Sequence, residues 1–261
     1  MTNYALDNAW DRAHHRLALL EQQLDPISHR RLAALGVRDG WRCLEVGGGL
    51  GSMARWLGRQ VGVAGHVTVT DIDIRFLQGI DEPGIEVWRH DVMTEDLPVA
   101  QFDLVHARWL LYHLAQPEQA ITRMVAALRP GGWLLLEDVD FFPLYASTSP
   151  LYVNFMVALA KTVGEAAGHD GFWAARVLPA MVAAQELTEF GGEGDVAILR
   201  GRSAMAKFWR LTGEQMRDKM LTSGALSVEC FHAAMALLDN PTFWTFSSAG
   251  VAVWGRHPNE T

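Results

Sequence analysis

The segment Leu44-Glu45-Val46-Gly47-Gly48-Gly49-Leu50-Gly51 constrains this chain more than any other, because it stands where a β-rich run passes into a helical one. Trp41 to Val46 reads as a short strand and Ser52 to Val61 as a helix. Between them Gly47, Gly49 and Gly51 carry no side chain, so the backbone tolerates tight-turn dihedrals and the close approach of a ligand. The helix that follows offers free amide donors at its start. A ligand-binding turn is the physical expectation, and a plain glycine-rich connection is the bland alternative. The loop alone does not choose between them.

The rest of the front half repeats the same rhythm. His66 to Thr70 alternates as a strand and ends at Asp71-Ile72-Asp73, and a helix is expected near Arg75 to Ile80. Ile85 to Arg89 is a third strand, Phe102 to Ala107 a fourth, Pro117 to Leu128 a helix and Trp133 to Glu137 a fifth strand. Successive βα units of this length predict an α/β fold with a parallel sheet covered by helices, all strand C-termini lying on one edge. Ahead of this core, helical spacing over Asn8 to Leu24 is broken by Asp25-Pro26, and a second short helix runs from Ser28 to Leu35. Beyond Pro143, Leu151 to Ala167 and Phe172 to Glu186 read as helices. Val196 to Arg200 reads as a strand, Ser203 to Leu221 and Ser227 to Leu238 as helices, and Phe243 to Trp254 as β-rich. The expected organisation is one domain: a helical lid over 1–36, a core over 37–142, a helical cap over 143–190, and completion of the sheet over 191–261.

Composition narrows the partners. A formal charge of -8 over 261 residues, with no long Lys/Arg run, speaks against nucleic acid and for a small molecule. Two cysteines without a CxxC pair fit a reducing compartment and suggest no metal site. There is no leader pattern at the start and no apolar run of the roughly 18 to 20 residues a membrane span needs, so a cytoplasmic location without membrane attachment is expected. Ten tryptophans are many for this length; most belong to core packing, and several near a pocket would suit a flat, greasy ligand.

Two acids give the glycine loop a meaning. Asp71 ends the second strand, where a carboxylate can accept hydrogen bonds from two ribose hydroxyls. Asp91 ends the third, where it can meet an adenine edge together with the Val92 amide. Either acid alone is commonly a helix cap or a solvated strand end. On three successive strand ends, loop and acids describe a nucleoside. A nicotinamide dinucleotide shares the ribose logic, but the GxGxxG frame from Gly47 falls on Ser52 and the frame from Gly49 ends on Ala54, which leans against a pyrophosphate without excluding it. Glu45 leans further, since its carboxylate repels a pyrophosphate and suits a ligand bearing an ammonium and a sulfonium.

These segments, with Val67 to Asp73, His90-Asp91, Phe102 to Arg108 and Leu128 to Trp133, resemble the class I S-adenosylmethionine-dependent methyltransferases. The resemblance is strongest to bacterial quinone-biosynthesis-like and secondary-metabolite members, and it covers roughly Gly40 to Asp140. It implies a Rossmann-like sheet of seven strands whose last, antiparallel strand is Phe243 to Trp254. It further implies S-adenosyl-L-methionine as cofactor, with Glu45, Gly47, Gly49 and Gly51 around its methionine part, Asp71 on the ribose, Ile72 against the adenine, Asp91 and Val92 on the adenine edge, and the Ala107 carbonyl on the ammonium. Tyr4 is the candidate aromatic closing over the cofactor.

The reaction is less constrained. Transfer from an activated sulfonium depends chiefly on positioning and desolvation, so a base is optional. His113, beyond the fourth strand, is the candidate proton acceptor, weighed against a histidine that merely bonds backbone. Trp109, Tyr112 and Asp138 are candidate substrate contacts, which makes a small, largely apolar or aromatic metabolite, in the manner of secondary metabolism, the expected acceptor. Two alternatives stay open: an enzyme that keeps the cofactor while catalysing cyclisation, rearrangement or decarboxylation, and a non-catalytic binding protein. Exposed apolar helix faces leave a homodimer open as well.

Overall fold

The computed structural model describes residues 5–169, 171 and 174–259. The strands are β1 (Arg42–Val46), β2 (His66–Asp71), β3 (Ile85–Arg89), β4 (Phe102–Arg108), β5 (Leu128–Asp140), β6 (Thr188–Arg200) and β7 (Trp244–Arg256). They form one sheet in the order β3-β2-β1-β4-β5-β7-β6. From β3 to β5 neighbouring strands run parallel, with Val46 level with both Thr70 and Ala107, and Asp71 level with Arg89. β7 runs the other way. Its C-terminal end meets the start of β5, where Gly131 N–H donates to His257 O (3.0 Å) and His257 N–H to Gly132 O (2.8 Å). β6 is antiparallel to β7, since Thr188 bonds Arg256 at one end and Gly201 bonds Phe243 at the other. The chain therefore adopts the seven-stranded Rossmann-like α/β fold with an antiparallel seventh strand.

The helices are α1 (Ala13–Ala34), α2 (Ser52–Val61), α3 (Pro117–Ala126), α4 (Pro150–Ala167), α5 (Ala174–Ala183), α6 (Ala204–Thr222) and α7 (Val228–Leu238). No helix among the described residues is long and apolar enough to cross a membrane, and no cluster of His, Cys, Asp and Glu among them is arranged to hold a metal ion. The chain divides into two compact units, one formed by Met1–Gln23, Val139–Arg176 and Gly194–Val251, the other by Leu24–Asp138, Val177–Glu193 and Ala252–Thr261.

In the unit containing β1 to β4, α2 buries Met53, Ala54, Leu57 and Val61 against Cys43, Val67, Val69, Leu77 and Leu104. Its apolar positions recur at helical spacing while the strand residues alternate, so two periodicities close one core. In the other unit, α4, α6 and α7 pack on one another. Phe155 meets Phe231 with ring centroids 6.5 Å apart, and a Cβ at Gly213 would lie 2.6 Å from the Phe155 ring, so the close approach of α4 and α6 requires glycine there. Trp209 donates its indole N–H to Ser247 Oγ at 3.0 Å, tying α6 to the middle of β7.

Four sequence expectations change. The break at Asp25-Pro26 is absent: α1 continues through Pro26. A proline costs a helix interior about 3 kcal/mol, and the residues that follow it, Ser28 and Arg31, are held by buried polar bonds described below that offset this. The helix near Arg75 to Ile80 is a single 3-10 turn, Ile74–Phe76, capped by the Asp73 carboxylate accepting from the Arg75 amide at 3.2 Å; Gly79, Pro83 and Gly84 leave it no room to extend. β5 begins at Leu128, taking in the Pro130-Gly131-Gly132 segment, with an irregular register opposite Phe102 to Leu104. β6 begins at Thr188 and not Val196, because the glycines that weaken the strand pattern are required for pairing: a Cβ at Gly191 would lie 2.7 Å from the Trp254 indole.

Leu57 is fully buried at the centre of the α2 interface. Leu57→Ala is expected to lower unfolding free energy by about 2–5 kcal/mol, read as a reduced urea midpoint with an unchanged slope.

Candidate functional site

The C-terminal ends of β1 to β4 bring the glycine loop, Asp71, Asp91 and the turn after β4 to one edge. Gly47 and Gly48 amides both donate to Thr70 O, at 2.8 and 3.0 Å, so the loop is folded back over the end of β2. Gly51 precedes α2 with φ +86°, a left-handed conformation, and a Cβ there would lie 2.6 Å from Ile80. Gly48, within the same loop, is constrained by crowding alone: its Cβ would fall 2.3 Å from Val69 Cγ2.

Asp71 joins the loop directly. One carboxylate oxygen accepts from the Gly49 amide at 3.2 Å and the other from the Asp73 amide at 3.0 Å. Burial raises its pKa, an effect the two amide bonds partly offset. Asp91, half-buried, accepts from the Met93 amide at 2.9 Å, and Val92 is buried with its carbonyl accepting from Arg123 at 2.9 Å. Ile72 is half-buried beside Asp71. Ala107 is buried, one residue before the end of β4. Tyr4 lies outside the described residues.

After β4 the chain turns sharply. Trp109 has φ +53°, a strained value for a bulky side chain, and its N–H donates to Glu137 O at 2.7 Å. Leu111–His113 forms a 3-10 turn. Asp138, fully buried, accepts from the Tyr112 amide at 3.0 Å, so its carboxylate anchors this turn. Tyr112 is buried, whereas Trp109 and His113 are half-buried, with His113 edge-on to the Tyr112 ring at 5.5 Å. The substrate and base candidates thus share one short segment, braced by Asp138 from the neighbouring strand.

Beneath the glycine loop lies a buried ionic network that sequence reasoning missed. His106, wholly buried on β4, points its Nδ1 at Glu45 Oε2 (2.5 Å) and its Nε2 toward Glu137 Oε2 (3.6 Å). Glu137 also accepts from Ser28 Oγ and from the Arg31 guanidinium at 2.9 Å. Arg31 reaches on to Glu193 at 2.6 Å. Arg108 donates to Ser28 Oγ at 3.0 Å and to Asp25 at 2.8 Å, and the same Asp25 oxygen accepts from Ser52 Oγ at 2.9 Å. A continuous path therefore runs from Glu45, ahead of the glycine loop, through β4, β5 and α1, to Ser52 just after it. Sequence reasoning singles out Glu45 alone of these residues, and for the cofactor, not for a partner; His106 lies between Val105 and Ala107 on a strand that also carries Asp103 and Arg108.

Burial is the largest influence on His106 and disfavours its charge, but Glu45 and Glu137 together outweigh it and raise its pKa to about 9. For Glu137, burial likewise opposes charge, and His106, Ser28 and Arg31 prevail, lowering it to about 2. His106 is therefore an imidazolium at neutral pH. Its stabilisation is complete below its ordinary value of 6.5 and is lost as pH rises through 9, whereas that of Glu137 is complete above 4.5 and lost as pH falls through 2. Unfolding free energy is expected to fall by on the order of 3 kcal/mol between about pH 6 and 10, with His106→Asn lacking that slope. A wild-type protein equally stable across this range contradicts the imidazolium.

The geometry can be set beside known proteins. The model of a family described as a methyltransferase domain matches residues 4–161. The ubiquinone/menaquinone biosynthesis C-methyltransferase of Laribacter hongkongensis is 30% identical over 148 residues, 54% of this chain and 60% of that protein. The methyltransferase str2 of Strobilurus tenacellus is 26% identical over 152 residues, 57% and 54% of the two chains. The chain thus spans little more than half the length of these curated relatives. Among solved structures, phosphoethanolamine N-methyltransferase 2 of Haemonchus contortus, in complex with phosphomonomethylethanolamine and S-adenosylhomocysteine, superposes with a TM-score of 0.61 at 13% identity. That likeness, one of fold, covers 99% of this chain and 61% of that one. With the family model covering more than half its residues, this chain belongs to the methyltransferase-domain family, within the class I S-adenosylmethionine-dependent methyltransferases.

Proposed function

We propose that this chain transfers the methyl group of S-adenosyl-L-methionine to a small, largely apolar or aromatic metabolite. The observation that carries the reading is the joining of Asp71 to the Gly49 amide, which sets a half-buried carboxylate beside a backbone cradle that side chains would fill. Bound there, the cofactor supplies an electrophilic methyl on a sulfonium. The protein's part is to bind and orient. The Asp71 carboxylate accepts from ribose hydroxyls, Ile72 gives an apolar surface to the adenine, and Asp91 with the Val92 amide meets its polar edge. Glu45, fixed on one oxygen by His106, keeps a carboxylate near the methionine end, and the Ala107 carbonyl accepts from the ammonium.

On the acceptor side, Trp109 and Tyr112 offer flat apolar faces, and the Asp138 brace holds them with His113 as a unit. Where the acceptor is a hydroxyl or an amine, His113 takes the proton; a carbon acceptor of the kind named in the quinone-biosynthesis relatives needs it only after transfer. The place of those relatives in ubiquinone and menaquinone biosynthesis favours a quinone-type acceptor over a charged one.

Asp71→Asn is expected to weaken S-adenosylmethionine binding about 10- to 100-fold by calorimetric titration, the loss of one or two charge-assisted hydrogen bonds, and to lower the melting temperature modestly, since the amide NH2 faces one of the two backbone N–H groups that the carboxylate accepts. Activity is read as S-adenosylhomocysteine released in the presence of a panel of quinols, phenols and small amines. Binding without release across the panel contradicts methyl transfer, and acceptor conversion without release identifies a non-methylating reaction on the same cofactor.

A further inference from the structure

Asp25 reads in the sequence as part of a helix break, yet in the structure it stands at a junction of the cofactor edge. One of its carboxylate oxygens, Oδ1, accepts from Ser52 Oγ at 2.9 Å and from the Arg108 guanidinium at 2.8 Å. Ser52 is the first residue of α2, directly after Gly51, and Arg108 is the last of β4, directly after Ala107. The proposed cofactor placement sets the amino-acid part of the ligand between these two neighbours, Gly51 and Ala107. Neither is held there by its own side chain: Gly51 has none with which to cap α2, and Ala107 offers its carbonyl. Further contacts make Asp25 a fixed point. His29, one turn on in α1, stacks on Trp56, one turn on in α2, with ring centroids 4.6 Å apart and planes 9° from parallel. This half of α1 therefore lies against the start of α2 through two successive turns. On the other side, Arg108 donates a second bond to Ser28 Oγ at 3.0 Å, and Ser28 donates to Glu137. The Arg108 side chain is 9% exposed and that of Asp25 21%, so the ion pair is largely shielded from water and salt.

We propose that Asp25 is a positioning residue for the amino-acid end of S-adenosyl-L-methionine. A single carboxylate oxygen, supplied by α1, sets the start of α2 against the end of β4 and so fixes the spacing between the glycine loop and the Ala107 carbonyl. Resting on the cofactor placement proposed above, this role adds to it a residue outside the glycine loop and the strand-end acids. The need for a brace follows from the topology. β1 and β4 are locked in register up to Val46 and Ala107, and beyond those residues loop and turn leave the sheet separately. The bonds of Gly47, Gly48 and Gly49 run toward β2, to Thr70 O and Asp71. The bond through Asp25 ties the far end of the loop the other way, toward β4. A ligand whose ammonium sits at Ala107 while the rest of its amino-acid part lies along the loop needs both sides at one spacing. Methyl transfer needs the same spacing, because it depends on where the sulfonium is held.

Calorimetric titration of the full chain with two ligands separates this role from a general loosening of the fold. S-adenosylhomocysteine carries the amino-acid part; methylthioadenosine keeps the adenosine and the sulfur and lacks it. Asp25→Ala is expected to weaken S-adenosylhomocysteine binding about 10-fold, while methylthioadenosine binds within about 2-fold of wild type. Asp25→Asn, which keeps an acceptor oxygen for Ser52 and Arg108, is expected to recover most of the loss. Ser52→Ala removes one of the two bonds and leaves the Asp25–Arg108 pair intact. It is expected to show the same selectivity to a smaller degree, and it carries the test should Asp25→Ala not fold. Wild-type affinity for S-adenosylhomocysteine in the variant, or a loss of both ligands in equal proportion, overturns the positioning role alone. A wild-type chain that binds methylthioadenosine as tightly as S-adenosylhomocysteine, or binds neither, overturns the cofactor placement and the positioning role with it.

Discussion

A protonated imidazole held between two carboxylates organises the cofactor edge of this protein. His106 stands at the centre of the parallel strands, and its two ring nitrogens face Glu45 on β1 and Glu137 on β5. Buried ions of this kind are costly, and an apolar replacement of similar volume is often at least as stable. What an apolar core cannot do is fix the direction of a carboxylate. Glu45 is aimed by His106, and Glu137 is aimed by Ser28 and Arg31, so helix α1, the start of the glycine loop and the strand beneath the substrate segment share one set of bonds. Removing His106 would leave two buried carboxylates facing each other, and the bonds from Ser28 and Arg31 to Glu137 offset the cost of carrying α1 through Pro26.

The same bonds connect chemistry to backbone strain. Trp109 sits in a left-handed conformation at the end of β4, and its N–H is taken by the Glu137 carbonyl, whose side chain closes the ionic network. Asp138, the next residue, turns its carboxylate to the Tyr112 amide. Adjacent residues of one strand therefore hold the network with one side chain and the substrate segment with the other, because successive side chains of a strand point to opposite faces. Strain at Trp109 persists because both flanks of the turn are fixed.

How far all this was legible depended on whether a signal was local. The glycine loop, α2, β3 and the strand ends at Asp71 and Asp91 could be read because turn chemistry and periodicity are written within a few residues. Asp71 was legible in position but not in its bond to Gly49, 22 residues away. The network was not legible, since Ser28, His106 and Glu137 are separated by roughly 30 to 110 positions and each alone resembles an ordinary polar residue. β6 failed in the opposite way: the glycines at 191 and 192 speak locally against a strand, yet crowding by Trp254 and the Ala252 carbonyl makes small residues necessary there. Pro26 is the same case in a helix, a local stop overruled by bonds that form only once the chain is folded.

The two edges of the sheet illustrate how one architecture separates tasks. At the C-terminal edge of the parallel strands, exposed backbone and half-buried acids are tolerated because a ligand's polar groups can satisfy them. Along β6 the sheet presents an apolar face, with Ile198 and Val196 exposed, which no small polar ligand can match. Strand order follows from this difference. The parallel strands β1 and β4, flanked on both sides, carry the cofactor loop and the imidazolium, where precise aim matters and slippage would be ruinous. The antiparallel pair β7 and β6 completes the sheet beyond β5, apart from the strand ends that carry the glycine loop and Asp71.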